Sequence, residues 1–247
     1  MAEIQSLARG LVILDILSQS QVGASITELA EILGVDKGSA SRLMSTLAKH
    51  GYSEKDPLTR RYFLGSQIIR LSERLLARMP LREIAKPFLR QLMERTGECS
   101  HLAVLAQGKA LYIDQVESPA TLRVNVRVGQ MAPLHCTALG KVLLAFCNAD
   151  FPQNLERFTP DTITEPDTLR HHLVTVRQQG YALDKEEYDP CVCCIAVPVY
   201  DYQNKVVGAM GISGPSARLS SEKLSQMLTI TIEVGKALSD RMTFTHS

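Results

Sequence analysis

Two capped helices, joined by a three-residue turn, leave few folds open to the first part of this chain. Ser25 and Glu28 form an S-x-x-E capping box at the start of a helix with the sequence TELAEIL. Gly34 ends that helix, because glycine tolerates the left-handed conformation of a C-cap. Asp36 caps a further helix that continues to Gly51. The spacing predicts a helix-turn-helix, whose second helix enters the major groove of DNA.

The helix after Asp36 has two different faces. Apolar residues recur at positions i, i+3, i+4 and i+7 from Ala40 to Leu47, and we expect them to face the core. The opposite face is small and polar, with Arg42 at its centre. Small residues let a helix backbone approach DNA, and a few longer donors reach phosphates or base edges. This face therefore predicts a recognition helix.

A basic hairpin follows the recognition helix. Asp56 and Pro57 form a turn signal between two strands that contain aromatic residues, with Arg60 and Arg61 near the tip. Such a hairpin is a wing. A three-helix bundle with a hairpin and no DNA-binding role is the alternative. We predict DNA contacts from Arg9, Lys37, Gly38, Ser39, Ser41, Arg42, Ser45, Arg60 and Arg61.

Charge is unevenly distributed along the 247 residues. The whole chain has 27 Lys and Arg against 26 Asp and Glu, which excludes a polyelectrolyte tail. Residues 66–97 carry seven basic and three acidic side chains and follow a neutral segment, so a basic helical stretch separates two parts of the chain. An ordinary solvated helix face, with no role in separating two parts of the chain, is the alternative explanation of this excess of basic residues. No apolar run approaches membrane-spanning length, so we expect a cytoplasmic protein with no membrane partner.

The second part of the chain mixes helices and strands. A helix ends at Gly97, strand-like runs follow at 100–107, 109–116 and 122–128, and Thr137 is a candidate N-cap. Two further β-rich runs, CCIAVPVYD and KVVGAMGIS, precede a closing helix. Strands between helices predict a central sheet covered by helices. The stretch HCTALGK places free N–H groups at a helix start, where a carboxylate is the natural ligand.

The cysteines leave an alternative open. Six in a chain of this length are too sparse for a disulfide scaffold, and Cys191, Cys193 and Cys194 form a C-x-C-C cluster that is untypical of structural zinc sites. A sensor of thiol oxidation or metal, with or without DNA binding, is the alternative function. We predict no bound metal or cofactor. The sequence has no catalytic or nucleotide-binding motif, so we predict no enzyme activity.

The chain resembles the IclR family of bacterial transcriptional regulators along its whole length. The similarity covers SLARGLVILDIL, ITELAEILGVDKGSASRLMSTLAKHGY, RYFLG, PLHCTALGKVLLAF, QQGYALDKEEY, CCIAVPVYD and VVGAMGISGPSARLS. It implies an α+β fold of two domains, with a winged helix-turn-helix at 1–65, a linker helix at 66–80 and a GAF-like α/β effector-binding domain at 81–247. It also implies homodimers on a palindromic double-stranded DNA operator, often paired into homotetramers.

The resemblance further implies an effector site. The amides of Ala138 and Leu139 and the side chains of Asp184, Cys194 and Ser213 match its positions. The function implied is a repressor of a catabolic operon, controlled by a small organic acid or sugar derivative. Two positions depart from the family pattern. Gly211 stands where many members have serine, and Cys191 stands where glycine is usual.

Overall fold

A computed structural model describes residues 3–76, 78–219 and 221–244. The chain divides into two compact units between Arg78 and Met79. The first unit contains three helices, an antiparallel two-stranded hairpin and a fourth helix. Its elements are α1 (Gln5–Gln19), α2 (Ile26–Leu33), α3 (Lys37–Lys49), β1 (Ser53–Lys55), β2 (Tyr62–Leu64) and α4 (Gln67–Leu76).

The predicted caps set the limits of α2 and α3. The Glu28 amide donates to Ser25 Oγ at 3.3 Å, and the Ser25 amide donates to Glu28 Oε2 at 2.7 Å, which completes the capping box. Gly34 has a φ of 61°. The Ser39 amide donates to Asp36 Oδ1 at 2.9 Å. The helix-turn-helix predicted from these residues is confirmed.

The core of the first unit is small. Ala40 and Met44 of α3 are fully buried, as their spacing predicts, and Ile13 and Leu17 of α1 pack in the same core. The next apolar residues along α3, at positions 43 and 47, are only half-buried. Leu7 on α1 is 60% exposed. An open apolar groove therefore runs between α1 and α3.

The second unit is a sheet covered by helices on both faces. Six antiparallel strands are ordered β5-β4-β3-β8-β7-β6. Helices α6 and α7 pack on one face, and α5 and α8 pack on the other. The elements are α5 (Pro80–Thr96), β3 (Cys99–Ala106), β4 (Lys109–Val116), β5 (Met131–Ala132), α6 (Ala138–Phe146), α7 (Pro166–Gln179), β6 (Ala182–Lys185), β7 (Val192–Tyr200), β8 (Val206–Pro215) and α8 (Ser221–Phe244).

The strand expected at 122–128 is wrong, because this segment joins no ladder. Two of its carbonyls accept from side chains instead: Leu122 O from Arg218 Nη1 at 2.8 Å, and Val124 O from Cys99 Sγ at 3.4 Å. The segment is thus fixed as an irregular loop. Within the described residues, we find no helix with the length and hydropathy needed to span a bilayer.

Candidate DNA-binding surface and effector cavity

The polar face of α3 is exposed. Lys37, Gly38, Ser41, Arg42 and Ser45 all lie on the solvent side of the helix. The remaining predicted residue of this helix, at position 39, is half-buried. Its hydroxyl donates to an Asp36 carboxylate oxygen at 2.6 Å and accepts from Arg42 Nη2 at 2.9 Å. The N-cap thereby orients the central arginine of the face, which the sequence spacing alone does not indicate.

The three other predicted arginines lie in different surroundings. Arg9 is half-buried on α1, and Arg60 is exposed at the hairpin tip with a φ of 59°. Arg61 Nη2 lies 2.7 Å from Glu28 Oε2, and its Nε donates to Val22 O at 2.9 Å. Hydrogen bonding from the Ser25 amide, with a further contribution from Arg61, lowers the pKa of Glu28 to about 2. Arg61 therefore fastens the hairpin to the start of α2.

A small cavity lies in the second unit, on the sheet face that carries α6. Its volume is about 50 Å³. Residues from both sheet strands and irregular segments enclose it, so it is assembled from parts of the chain far apart in sequence. They are His101, Tyr112, Val124, Asn125, Val126, Gln130, Thr137, Ala138, Leu139, Asp184, Tyr188, Asp189, Val192, Cys194, Ile212 and Ser213.

The cavity brings together all five residues that we matched to an effector site. Asp184 on β6 pairs with Cys194 on β7, and Cys194 pairs with Ser213 on β8, so the three form a row across the sheet. Ala138 and Leu139 open α6, where the Thr137 hydroxyl caps the helix by accepting from the Gly140 amide at 3.1 Å. Two free amides and the positive end of the helix dipole therefore border the same space as the row.

The electrostatics of the cavity are dominated by one carboxyl group. Asp184 is 2% exposed, and burial raises its pKa to about 7, although the Glu187 amide donates to its Oδ1 at 2.8 Å. Behind it, Lys141 Nζ lies 2.5 Å from Glu187 Oε1, in an ion pair removed from solvent. The side chains that line the cavity include no Lys or Arg. The start of α6 is thus the positive feature of the site.

Several cavity residues escape prediction from the sequence. His101 is a buried polar member of this group, and its Nε2 lies 2.6 Å from Ser213 Oγ. Its ring meets Tyr112 edge-on at 5.6 Å between centroids. Alternation along β3 places His101 on the same face as Cys99, but only the pairing of β3 with β8 brings it to Ser213.

The chain matches two family models that together span most of its length. Residues 6–57 match the IclR helix-turn-helix domain, and residues 73–240 match the bacterial transcriptional regulator IclR C-terminal domain. The chain belongs to the IclR family. Its relatives are transcriptional regulators rather than enzymes, and the family assigns DNA binding to the first domain and effector binding to the second.

Individual IclR relatives align over nearly the whole chain. The HTH-type transcriptional regulator BhcR of Paracoccus denitrificans is 37% identical, over 96% of this chain and 86% of its own. The DNA-binding transcriptional repressor YiaJ of Escherichia coli is 33% identical, over 98% and 89%. An IclR homolog from Microbacterium hydrocarbonoxydans, crystallised with 4-hydroxybenzoate, superposes with a TM-score of 0.83 over 96% of this chain and 98% of its own. At 21% identity, that structure shows the shared fold.

The backbone geometry is informative at both positions that depart from the IclR pattern, Cys191 and Gly211. Cys191 has a φ of 61°, a left-handed conformation that suits glycine better than any residue with a side chain. A Cβ atom at Gly211 would collide with the backbone oxygen of Ile195, so a serine there requires the strands to shift. Gly211 therefore stands in place of the serine of many IclR members for a steric reason, and the chain has no hydroxyl at this position.

The three clustered cysteines do not form one surface. Cys191 is exposed, Cys193 is buried and Cys194 is half-buried against the cavity. Cys193 and Cys194 are successive strand residues and point to opposite faces of the sheet. Burial raises the pKa of the Cys194 thiol well above its ordinary value. In the part of the chain that the structure describes, no three His, Cys, Asp or Glu side chains are grouped to hold a metal ion.

Proposed function

We propose that this protein is a cytoplasmic repressor of a catabolic operon, which binds a palindromic operator as a homodimer and pairs further into tetramers. A small carboxylate, either an organic acid or a sugar derivative, binds in the second unit and changes operator affinity. The observation that carries the proposal is the exposed polar face of α3. The C-cap of α2 at Gly34 and the N-cap of α3 at Asp36 fix the turn that leads into this helix.

The DNA contacts are proposed from exposure and charge. Lys37 and Arg42 on α3, with Arg60 on the hairpin, supply exposed cations on this unit. Gly38, Ser41 and Ser45 keep the α3 surface narrow between them. We assign phosphate and base contacts to this set, with Arg9 and Ser39 beside it. Arg61 contributes by fastening the hairpin to α2 through Glu28.

Exposed apolar side chains on α4 support the dimer. Ile69 and Leu75 are 65% and 58% exposed, and no residue of this helix is buried. An apolar stripe in water favours association, because covering it removes apolar surface from solvent. We therefore propose α4, within the predicted 66–80 segment, as a linker helix that pairs with its copy. A twofold dimer requires a twofold-symmetric operator.

The start of α6 supports a carboxylate effector. Free amides at Ala138 and Leu139 suit an anion, and Asp184, Cys194 and Ser213 complete the cavity wall. The structural relative crystallised with 4-hydroxybenzoate binds a carboxylate of this kind. The effector changes operator affinity only if it binds the two arrangements of the dimer unequally.

Titration of DNA binding tests the proposal. The probe is labelled duplex from the region upstream of this protein's own gene, followed by fluorescence anisotropy at several salt concentrations. Arg42→Ala should weaken binding about tenfold or more, because a base or phosphate contact contributes about 1–3 kcal/mol. Loss of a phosphate contact should also lower the salt slope by about 1.

The control removes the same charge from the second unit. Arg90→Ala changes an exposed arginine on α5 and should leave DNA affinity unchanged. Wild-type protein that fails to bind this DNA even at low salt, or equal losses in both variants, would contradict the proposed recognition surface.

A further inference from the structure

The strongest unused feature of the cavity is a buried imidazole nitrogen. His101 is 2% exposed, and its Nδ1 has no hydrogen-bonding partner among the described residues. Leaving a buried polar atom unsatisfied costs free energy, because the atom has lost its hydrogen bonds to water and gained none in return. A ligand group that hydrogen-bonds to Nδ1 would recover that free energy. The site therefore favours ligands that can make this hydrogen bond over ligands that cannot.

The other ring nitrogen fixes the orientation of the imidazole. Nε2 lies 2.6 Å from Ser213 Oγ, and Tyr112 packs edge-on against the ring. Burial lowers the pKa of His101 to about 4, so the ring is neutral near pH 7. A neutral imidazole has one donor and one acceptor nitrogen. Nδ1 therefore accepts a hydrogen bond if Nε2 donates to Ser213, and donates if Ser213 is the donor.

A hydroxyl group satisfies Nδ1 in either tautomer, because it both donates and accepts. A carboxylate oxygen satisfies only one tautomer, and a methyl group satisfies neither. The cavity volume of about 50 Å³ also restricts the ligand to few atoms. We propose that His101 recognises a hydroxyl of the effector, so the preferred ligand is a short hydroxy acid rather than the corresponding simple carboxylic acid.

This inference rests on the proposed carboxylate site at the start of α6. The carboxylate of the ligand takes the amides of Ala138 and Leu139, and its hydroxyl takes Nδ1 of His101. Both contacts belong to one cavity, because His101, Ala138 and Leu139 all line it. His101 is thus a residue that sets specificity, and its removal should change the choice between ligands more than binding of acids in general.

Matched pairs of acids test the inference. Calorimetric titration of the full-length protein compares glycolate with acetate and L-lactate with propionate. Wild-type protein should bind the hydroxy acid of each pair about tenfold more tightly, because the buried nitrogen gains a hydrogen-bonding partner. His101→Leu should bind both members alike. His101→Asn, which keeps a polar atom near Nδ1, should restore part of the preference.

The outcomes separate this inference from the proposed function. Equal affinity for both members in the wild type, or a preference that persists in His101→Leu, would overturn the role of His101 while the carboxylate site stands. If the wild type binds DNA but neither acid of either pair, the carboxylate site itself fails, and the inference fails with it. Equal weakening of both acids in His101→Leu would assign the residue a purely structural role and also overturn the inference.

Discussion

The polar face of α3 and the effector cavity use similar side chains in opposite surroundings. On α3, lysine, arginine and serine side chains lie in solvent beside one acidic cap. In the cavity, aspartate, histidine and serine are buried on a sheet, and no lysine or arginine side chain lines the space. The polar face of α3 would bind DNA through charges that water and salt screen. The cavity would bind its ligand through a few hydrogen bonds that are shielded from water.

This difference predicts where substitutions affect function and where they affect folding. Changes on the face of α3 should alter DNA binding with little effect on stability, because exposed polar side chains contribute little to it. Changes around the cavity should alter ligand binding and stability together, because each buried polar group relies on its partner. The next three experiments test the cavity side of that contrast.

The buried ion pair beside the cavity should give the largest effect. Lys141→Ala leaves the Glu187 carboxylate buried without its counter-charge, a change that costs about 3–5 kcal/mol. The melting temperature of the second unit, followed by circular dichroism, should fall by about 10 °C. Combining Lys141→Met with Glu187→Gln should recover much of the loss.

An exposed pair provides the control for Lys141. Lys86→Ala removes the contact of Lys86 with Glu83 at 2.7 Å on the surface of α5. The melting temperature should stay unchanged, because solvent screens such pairs. A large fall in both variants, or in neither, would remove the proposed distinction between buried and exposed charges.

Asp184 should give an intermediate effect that depends on pH. Its folded pKa of about 7 is above the ordinary value, so ionisation opposes folding. The stability that the protonated carboxyl provides is complete below about pH 4 and is lost as the pH rises to about 7. The stability advantage of Asp184→Asn over the wild type should therefore grow by up to about 4 kcal/mol between pH 4 and 7, and should then stay constant at higher pH.

Thermal melts at several pH values, with the exposed Asp150→Asn as the control, measure the Asp184 effect. Carboxylate affinity should also rise in the wild type as pH falls from 8 to 6, because protonation removes a negative charge from the cavity. Asp184→Asn should lack that dependence. Parallel stability curves for the two proteins would show that Asp184 has an ordinary pKa.

The cap of α6 should give the smallest effect. Thr137 Oγ1 accepts from the Gly140 amide at 3.1 Å and donates to Pro133 O at 2.7 Å. Thr137→Ala should cost about 1 kcal/mol, and carboxylate affinity should fall as the helix start loosens. Thr137→Ser keeps the hydroxyl and should retain both properties. If the serine variant loses as much affinity as the alanine variant, the methyl group rather than the cap matters.

Prediction from the sequence succeeded where the interaction is local. Ser25, Glu28, Gly34, Asp36 and Thr137 each act within four residues of themselves, and the structure places every one as a cap. The spacing on α3 also identified Ala40 and Met44 as core residues. Local patterns fix helix ends and faces because hydrogen bonds and side-chain neighbours in a helix come from the next turn.

The failures lie where partners are distant. The alternation LRVNVRV predicted a strand, but Cys99 and Arg218, far away in the chain, bind its carbonyls instead. Leu7 and Leu11 of α1 are apolar and yet exposed, because an apolar residue type does not say whether the surface that covers it belongs to the same chain. His101 went unnoticed since its partner Ser213 lies 112 residues away.

Sequence alone determined the capped helices, the polar face of the recognition helix and the family, because each depends on residue types at short, fixed spacings. Tertiary structure decided which face of each strand meets the cavity, and it joined Asp184, Cys194 and Ser213 in one row. It also decided that Arg61 binds Glu28, and that His101 lines the cavity with an Nδ1 that has no hydrogen-bonding partner among the described residues. Strand order and register set these contacts, and neither is encoded in any short stretch of the chain.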